Sequence, residues 1–118
     1  MAKKTRKQSN IKHGSIELVL LLLLQSGKKY GYQLAQDLDE FSDGEYELKE
    51  TTMYPTLYRL SENGYLDSEQ VKVGVRRIRV YYFITDSGRH RLQELLDEYR
   101  TVTNAIEKII ARTSEGEA

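Results

Sequence analysis

Residues 49–85 read KETTMYPTLYRLSENGYLDSEQVKVGVRRIRVYYFIT, and the fold can be inferred from this stretch. In the first half, Met53, Leu57 and Leu60 stand at i, i+4 and i+7, a spacing that predicts a helix with one apolar face. Gly64 follows and is a natural residue to end that helix. The stretch therefore opens with an amphipathic helix whose outer face can enter a groove.

The second half of this stretch predicts a β-hairpin. Residues 65–73 and 78–85 are rich in β-branched and aromatic side chains, and a turn containing glycine separates them. The turn region carries three arginines: Arg76, Arg77 and Arg79. A helix beside a hairpin with a basic tip is typical of a winged helix-turn-helix, so nucleic-acid binding is the first function that the sequence predicts.

Two further helices are predicted upstream. Ser15 can cap the first, from Ile16 to about residue 25, and its run of leucines without a polar face indicates nearly complete burial. The second is GYQLAQDLDEF at residues 31–41. We assign its apolar stripe to Tyr32, Ala35, Leu38 and Phe41.

The last helix is expected to begin near Thr85 or Asp86 and to be long. Its apolar residues recur at steps of three and four for more than two heptads beyond what a small winged core needs. The stripe either folds back on its own domain or packs against a second copy, and its length favours the second copy. The predicted dimer contacts are Ile16, Val19, Leu95, Tyr99, Val102, Ile106 and Ile109.

The predicted fold class is mainly α with a small β-hairpin: a winged helix-turn-helix plus a long C-terminal dimerisation helix. We divide the chain into a disordered basic arm (1–10), a DNA-binding domain (11–85), a dimerisation helix (86–112) and a frayed tail (113–118).

Composition excludes several classes of protein. The 118 residues include no cysteine, which excludes disulfides and thiolate metal sites. The longest apolar run, residues 18–24, is far shorter than the about 20 residues that span a bilayer. The basic N-terminus lacks the apolar region and cleavage site of a signal peptide. A cytoplasmic location without membrane association is expected.

The distribution of charge along the chain is more informative about binding partners than the net charge, which is zero. Residues 1–12 hold five Lys or Arg and no acid, and residues 71–91 hold six basic residues and a single acid. Residues 13–70 hold four basic and eleven acidic residues. Phosphate attraction needs local positive charge, so the arm and the hairpin are the segments expected to meet DNA.

Catalysis has almost no support in the sequence. His13 and His90 lie in different elements without cysteine companions, which argues against zinc. Neither a glycine-rich phosphate loop nor a Gly-x-Ser-x-Gly motif occurs. We therefore predict no enzyme activity, no catalytic residue, no metal and no cofactor.

Three stretches resemble the PadR family of bacterial transcriptional regulators: KHGSIELVLLLLLQSGKKYGYQLAQDL, TTMYPTLYRLSENGYL and YYFITDSGRHRL. They cover roughly residues 12–100. The resemblance implies a winged helix with a C-terminal dimerisation helix, acting as a dimeric repressor relieved by a small-molecule inducer, and the length resembles the short subgroup. Some small relatives sandwich flat drugs between tryptophans of the last helix. This chain has no tryptophan, and Tyr99 is nearest that position.

The predicted DNA contacts fall into three groups. Groove contacts are expected from Thr51, Thr52, Tyr54 and Tyr58, whose hydroxyls can bind base edges or phosphates. The threonines can instead cap the helix, and Tyr58 can belong to the core. Backbone contacts are expected from Lys12, His13, Lys28, Lys29, Tyr30 and Lys49. Minor-groove contacts are expected from Arg76, Arg77 and Arg79, and strand alternation should place Arg77 and Arg79 on one face.

The functional hypothesis is a sequence-specific dimeric repressor that binds a near-palindromic DNA operator and is released by a small-molecule or stress signal. A small-molecule effector would bind between the two C-terminal helices, lined by Leu96, Tyr99 and Val102. Two alternatives stay open: a winged-helix module that binds protein instead of DNA, and a non-specific architectural DNA-binding protein. The basic segments count against the first, and the acidic body counts against the second.

Overall fold

The computed structural model of the protein describes residues 10–116. Most of the predicted basic arm lies outside this range, and Asn10 begins the first helix. Five helices and three strands follow one another in the described residues: α1 Asn10–Gly14, α2 Ile16–Leu24, β1 Lys29–Tyr30, α3 Gly31–Phe41, α4 Glu50–Glu62, β2 Leu66–Lys72, β3 Ile78–Ile84 and α5 Asp86–Gly116. The predicted winged helix-turn-helix with a long C-terminal helix is confirmed.

Helix α2 forms the centre of the core, as its unbroken leucine run predicts. Leu20, Leu21 and Leu24 are almost completely buried, and α3, α4 and α5 all pack around this helix. On α4, the predicted inward face of Met53 and Leu57 is equally buried. Each such side chain contributes roughly 1.5–3 kcal/mol of burial free energy, so this contact region holds the domain together.

Three local predictions for the helices were wrong. The Ser15 hydroxyl makes no capping hydrogen bond to α2. It donates instead to the Lys12 carbonyl oxygen at 2.7 Å, which is available because helix α1, not predicted from the sequence, directly precedes Ser15. Neither Thr51 nor Thr52 caps α4, which begins one residue earlier. On α3 the buried residues are Gly31, Leu34 and Leu38, whereas Tyr32 and Phe41 of the predicted stripe are exposed. The prediction used steps of three residues, which drift away from one face of a helix that has 3.6 residues per turn.

Glycine ends α4 as predicted. Gly64 adopts φ +80, and its N–H donates to the Ser61 carbonyl at 3.0 Å while the Tyr65 N–H donates to the Leu60 carbonyl at 2.9 Å. This pair of bonds is a Schellman motif, which satisfies the last carbonyls of the helix. The turn also aims the chain directly into β2.

One hydroxyl joins this turn to the last helix. The Thr85 Oγ1 donates to the Gly64 carbonyl at 2.6 Å and accepts from the Gly88 N–H at 3.0 Å. Thr85 therefore caps α5, which begins at Asp86 within the predicted region. A side chain on Gly88 would collide with the Tyr65 carbonyl oxygen. The Thr-x-x-Gly spacing is therefore needed to seat α5 against the base of the hairpin.

The sheet has three antiparallel strands in the order β1-β3-β2. Strands β2 and β3 form the predicted hairpin, with Leu66 opposite Ile84 and Lys72 opposite Ile78. The two-residue strand β1 was not predicted; it pairs Lys29 with Tyr82 on the far side of β3. The pairing ties the hairpin to the start of α3.

Helix α5 continues beyond the domain that it packs on. Leu92 is buried, and Leu95 and Leu96 pack against the core. The helix runs to Gly116, through positions where we expected a frayed tail. Beyond these contacts, five large apolar side chains are about half exposed: Tyr99, Val102, Ile106, Ile109 and Ile110.

One predicted dimer contact is corrected by its burial. Ile16 is only 2% exposed and belongs to the core of its own chain, so its side chain is not available to a second copy. Val19, one turn further on, is half-buried and remains accessible. Among residues 10–116, no helix combines the length and apolar character needed to cross a membrane.

Candidate nucleic-acid interface

The outer face of α4 is the first part of the site. Opposite the buried Met53 and Leu57, Thr51 is exposed, Tyr54 is 41% exposed and Tyr58 is 66% exposed. The exposure of Tyr58 excludes the alternative in which it belongs to the core. Thr52 is partly buried at the same end of the helix. All four predicted groove contacts thus lie at or near the N-terminal half of α4, on or beside its exposed face.

The tip of the hairpin is the second part. The Val73 N–H donates to the Arg77 carbonyl at 3.0 Å and closes the turn. Arg76 and Arg77 are fully outside the core, whereas Arg79 is partly covered because its guanidinium lies 4.0 Å from the centre of the Tyr30 ring. The predicted basic tip is present: Arg79 is held against Tyr30, and Arg76 and Arg77 are exposed.

A cleft of about 570 Å³ connects these two parts. It lies between the start of α3, the outer face of α4 and the hairpin. Arg77 and Arg79 both line it. The remaining lining residues are Tyr30, Gly31, Tyr32, Tyr54, Ile78, Val80 and Tyr82. This concave surface joins α4 and the β2–β3 hairpin, which is the wing of the fold, into one continuous face. The face carries two arginines and four tyrosines.

Two tyrosines of the cleft, Tyr54 and Tyr82, have hydroxyls that can act as hydrogen-bond donors. Burial raises the pKa of Tyr54, and the nearby Glu50 and Tyr82 raise it further. Burial also raises the pKa of Tyr82. Both hydroxyls therefore stay protonated at neutral pH and can donate to a phosphate oxygen. A side chain at Gly31 would overlap the hydroxyl end of the Tyr54 ring, so glycine here lets that ring lie against the start of α3.

Tyr82 and Val80 were not predicted from the sequence as parts of this cleft. Their position depends on β1, which places the start of α3 against β3. A strand of two residues has no periodicity to detect. The only available signal was the spacing of tyrosines at 30, 81 and 82, which has no meaning until the strands are paired.

The lysines predicted to contact the DNA backbone differ in their surroundings. Lys28 pairs with Glu69 at 3.2 Å and Lys29 pairs with Asp37 at 2.8 Å, the latter in a half-buried position. Lys12 stacks over the Tyr46 ring at 5.4 Å. A second cleft, of about 650 Å³, lies beside α4 and is lined in part by Lys12, Lys49 and Thr52. Lys12 and Lys49 thus flank the N-terminus of α4, whereas Lys28 and Lys29 are engaged within the domain.

The residues predicted for effector binding also differ in their surroundings: one packs within its own chain and two are exposed. Leu96 packs against the core of its own chain, while Tyr99 and Val102 are about half exposed on α5. In the described residues, no group of three His, Asp or Glu side chains is placed to hold a metal ion.

Known proteins share this sequence pattern. The sequence model of the "Transcriptional regulator PadR-like family" matches residues 19–94. An uncharacterised protein X of Lysinibacillus sphaericus is 28% identical over 100 residues, which are 85% of this chain and 92% of that protein. The "Negative transcriptional regulator PadR" of Bacillus subtilis is 23% identical over 91 residues, 77% of this chain and 50% of that protein.

Solved structures match over most of the chain. A transcriptional regulator from Clostridium thermocellum has a TM-score of 0.78 and 31% identity, covering 87% of this chain and 97% of its own. Bacillus subtilis PadR, solved in complex with operator DNA, has a TM-score of 0.65 and 26% identity, covering 69% of this chain and 46% of its own. This chain thus spans about half the length of that regulator.

Proposed function

The chain belongs to the PadR-like family of transcriptional regulators, and from that premise we propose that it is a dimeric repressor whose two winged helices bind a near-palindromic operator. The observation that carries the proposal is the continuous surface formed by the outer face of α4 and the wing arginines. It presents hydroxyls for base edges and phosphates beside guanidinium groups, on an otherwise acidic body.

In this proposal, α4 enters the major groove and the wing lies along the neighbouring minor groove. Tyr54 and Tyr58, with the two threonines that precede them, make the groove contacts, and Arg76 and Arg77 extend toward the minor groove. Lys12 and Lys49, with the Tyr82 hydroxyl in the cleft, contact backbone phosphates. The DNA-binding domain corresponds to residues 11–85 and the dimerisation helix to residues 86–112, in a cytoplasmic protein without catalytic activity.

Dimerisation is supported by apolar surface that the single chain leaves uncovered. The exposed stripe on α5 includes Val102, Ile106 and Ile109, each about half exposed. A second apolar surface, around a cleft of about 440 Å³, lies on α2 and α3 and includes Val19 and Phe41. Because contiguous exposed apolar surface is rare on monomers, a second copy is its expected cover. The residues predicted for the dimer, without Ile16, are the basis of this interface.

Regulation by a ligand would act on the relative orientation of the two winged domains. A ligand releases DNA only if it binds one arrangement of the dimer better than another. In the proposed dimer, Tyr99 and Val102, which are about half exposed on α5, would line a space between the two helices, and Leu96 would lie next to that space. Tyr99 can stack on an aromatic ligand through its ring.

The experiment that tests the proposed function is selection of bound duplexes from a random pool at near-physiological salt, followed by sequencing. A recovered near-palindrome is the expected result. Retention of DNA without a common motif would favour the architectural alternative. Failure to retain any duplex, in the presence and absence of candidate small molecules, would favour the protein-binding module.

A further inference from the structure

The three wing arginines are not equivalent in the structure. Arg79 lies over the face of Tyr30, with 4.0 Å between the guanidinium carbon and the ring centre. Arg76 and Arg77 are exposed, and within residues 10–116 neither stacks on a ring nor pairs with a carboxylate. A guanidinium at this distance from a tyrosine face is attracted by the ring electrons. Arg79 is therefore already ordered before any ligand arrives.

Tyr30 is itself fixed from several sides. Its strand pairs it with Tyr81, whose ring it meets edge-on with the centres 5.4 Å apart. Its backbone is extended (φ −97, ψ 167) and immediately precedes α3, so the ring stands at the junction of the wing and the helix-turn-helix. The neighbouring Lys29 is held to Asp37 of α3 by a half-buried ion pair of 2.8 Å. These contacts fix the backbone at Tyr30, and the Tyr81 ring packs against the Tyr30 ring.

The position of Arg79 in the cleft between the wing and α4 matters for phosphate binding. Arg79 and Tyr30 both line this cleft, together with Tyr54 of α4. An arginine that is ordered in advance loses less conformational freedom when it binds a phosphate than an arginine extended into solvent. The ring of Tyr30 is thus placed to determine where the charge of Arg79 stands relative to α4.

We propose that Tyr30 is a positioning residue that acts through Arg79, holding its guanidinium in the cleft where one phosphate of the DNA backbone binds. The inference rests on the proposed function, and it assigns a different contribution to each part of the wing. Arg79 supplies a phosphate contact that the Tyr30 ring holds in place. Arg77, which lines the same cleft, and the exposed Arg76 supply contacts that no ring holds in advance. The ring of Tyr30, and not its hydroxyl, is the functional group.

Two tyrosine substitutions separate the ring from the hydroxyl. Tyr30→Phe keeps the ring, so we expect operator affinity within about twofold of wild type and an unchanged salt dependence. Tyr30→Leu removes the ring but no charge. We expect its affinity to fall roughly threefold to tenfold, and the slope of log K against log salt to fall by about one, as in Arg79→Ala. The double variant Tyr30→Leu/Arg79→Ala should bind no more weakly than Arg79→Ala.

A matched control exists in the same chain. Tyr65 lies 5.8 Å from the Arg91 guanidinium, outside the cleft, so Tyr65→Leu removes an arginine–ring contact without touching the site. Its salt slope should equal that of wild type. In the free protein, the Arg79 Nε–H proton should show an upfield NMR ring-current shift that persists in Tyr30→Phe and disappears in Tyr30→Leu.

The outcomes distinguish this inference from the proposed function. A wild-type protein that binds no duplex would remove both, whatever the NMR shift. Normal operator binding with no ring-current shift at Arg79 would overturn the inference alone. So would a Tyr30→Phe variant that loses as much affinity as Arg79→Ala, because the hydroxyl would then be the contact. If Tyr30→Leu fails to fold, Tyr30→Phe and Arg79→Ala still decide the question.

Discussion

At the scale of single residues, the wing arginines allow the electrostatic part of DNA binding to be tested. Replacing Arg76, Arg77 and Arg79 together by alanine should weaken operator binding and flatten its salt dependence, by about one unit of slope for each phosphate that is no longer bound. Fluorescence anisotropy titrations across a range of salt concentrations measure both quantities. A slope equal to that of wild type would show that the wing does not contact the DNA backbone.

Gly88 gives a prediction about stability. Gly88→Ala should lower the free energy of unfolding by about 1–3 kcal/mol, because the added carbon would collide with the Tyr65 carbonyl oxygen. Gly14→Ala is the control, since nothing lies within 4 Å of a side chain added there. Thermal unfolding of the two variants compares them directly. Equal melting temperatures for both would contradict the packing described at the base of α5.

Residues whose environment is set locally were predictable. Met53 and Leu57 follow from helical spacing, and Gly64 follows from the demand for positive φ at the end of a helix. Ser15 was not predictable, because its hydroxyl is engaged by Lys12 and Tyr46 and not by the helix that it precedes. A capping residue is recognised by the helix it adjoins, and an unrecognised helix upstream changes its partners.

At the scale of secondary-structure elements, the exposed apolar stripe of α5 allows dimerisation to be tested. Ile106→Glu places a charge in the middle of the exposed apolar stripe, so we expect monomers and a large loss of operator affinity. Lys108→Glu also changes a charge but lies on another face of the same helix, so this variant should remain dimeric. Light scattering distinguishes the two states. A dimer that survives Ile106→Glu would place the interface elsewhere.

Long periodic elements were predicted well, and short ones were missed. The length and start of α5 follow from its repeat and from Thr85, while the two residues of β1 gave no pattern. Strand β1 forms because β3 offers an unpaired edge, which is a property of the folded domain and not of residues 29 and 30. The cleft that β1 creates was accordingly invisible in the sequence, although Arg77, Arg79 and Tyr54 were each identified.

At the scale of the whole molecule, a chain with zero net charge is expected to depend on geometry for its affinity. The acidic body limits non-specific attraction of the protein to DNA phosphates, and the basic wing attracts phosphates on one face only. In the proposed dimer, two such faces related by a two-fold axis would engage half-sites about one turn of DNA apart. The arrangement favours sequence-specific binding over coating of DNA.

The dependence of affinity on half-site spacing in the selected operator tests this paired geometry. Inserting about five base pairs between the half-sites turns one of them to the opposite side of the duplex. We predict that affinity then falls to that of an isolated half-site, and that an insertion of about ten base pairs restores part of it. Equal affinity for every spacing would contradict a dimer that binds both half-sites at once.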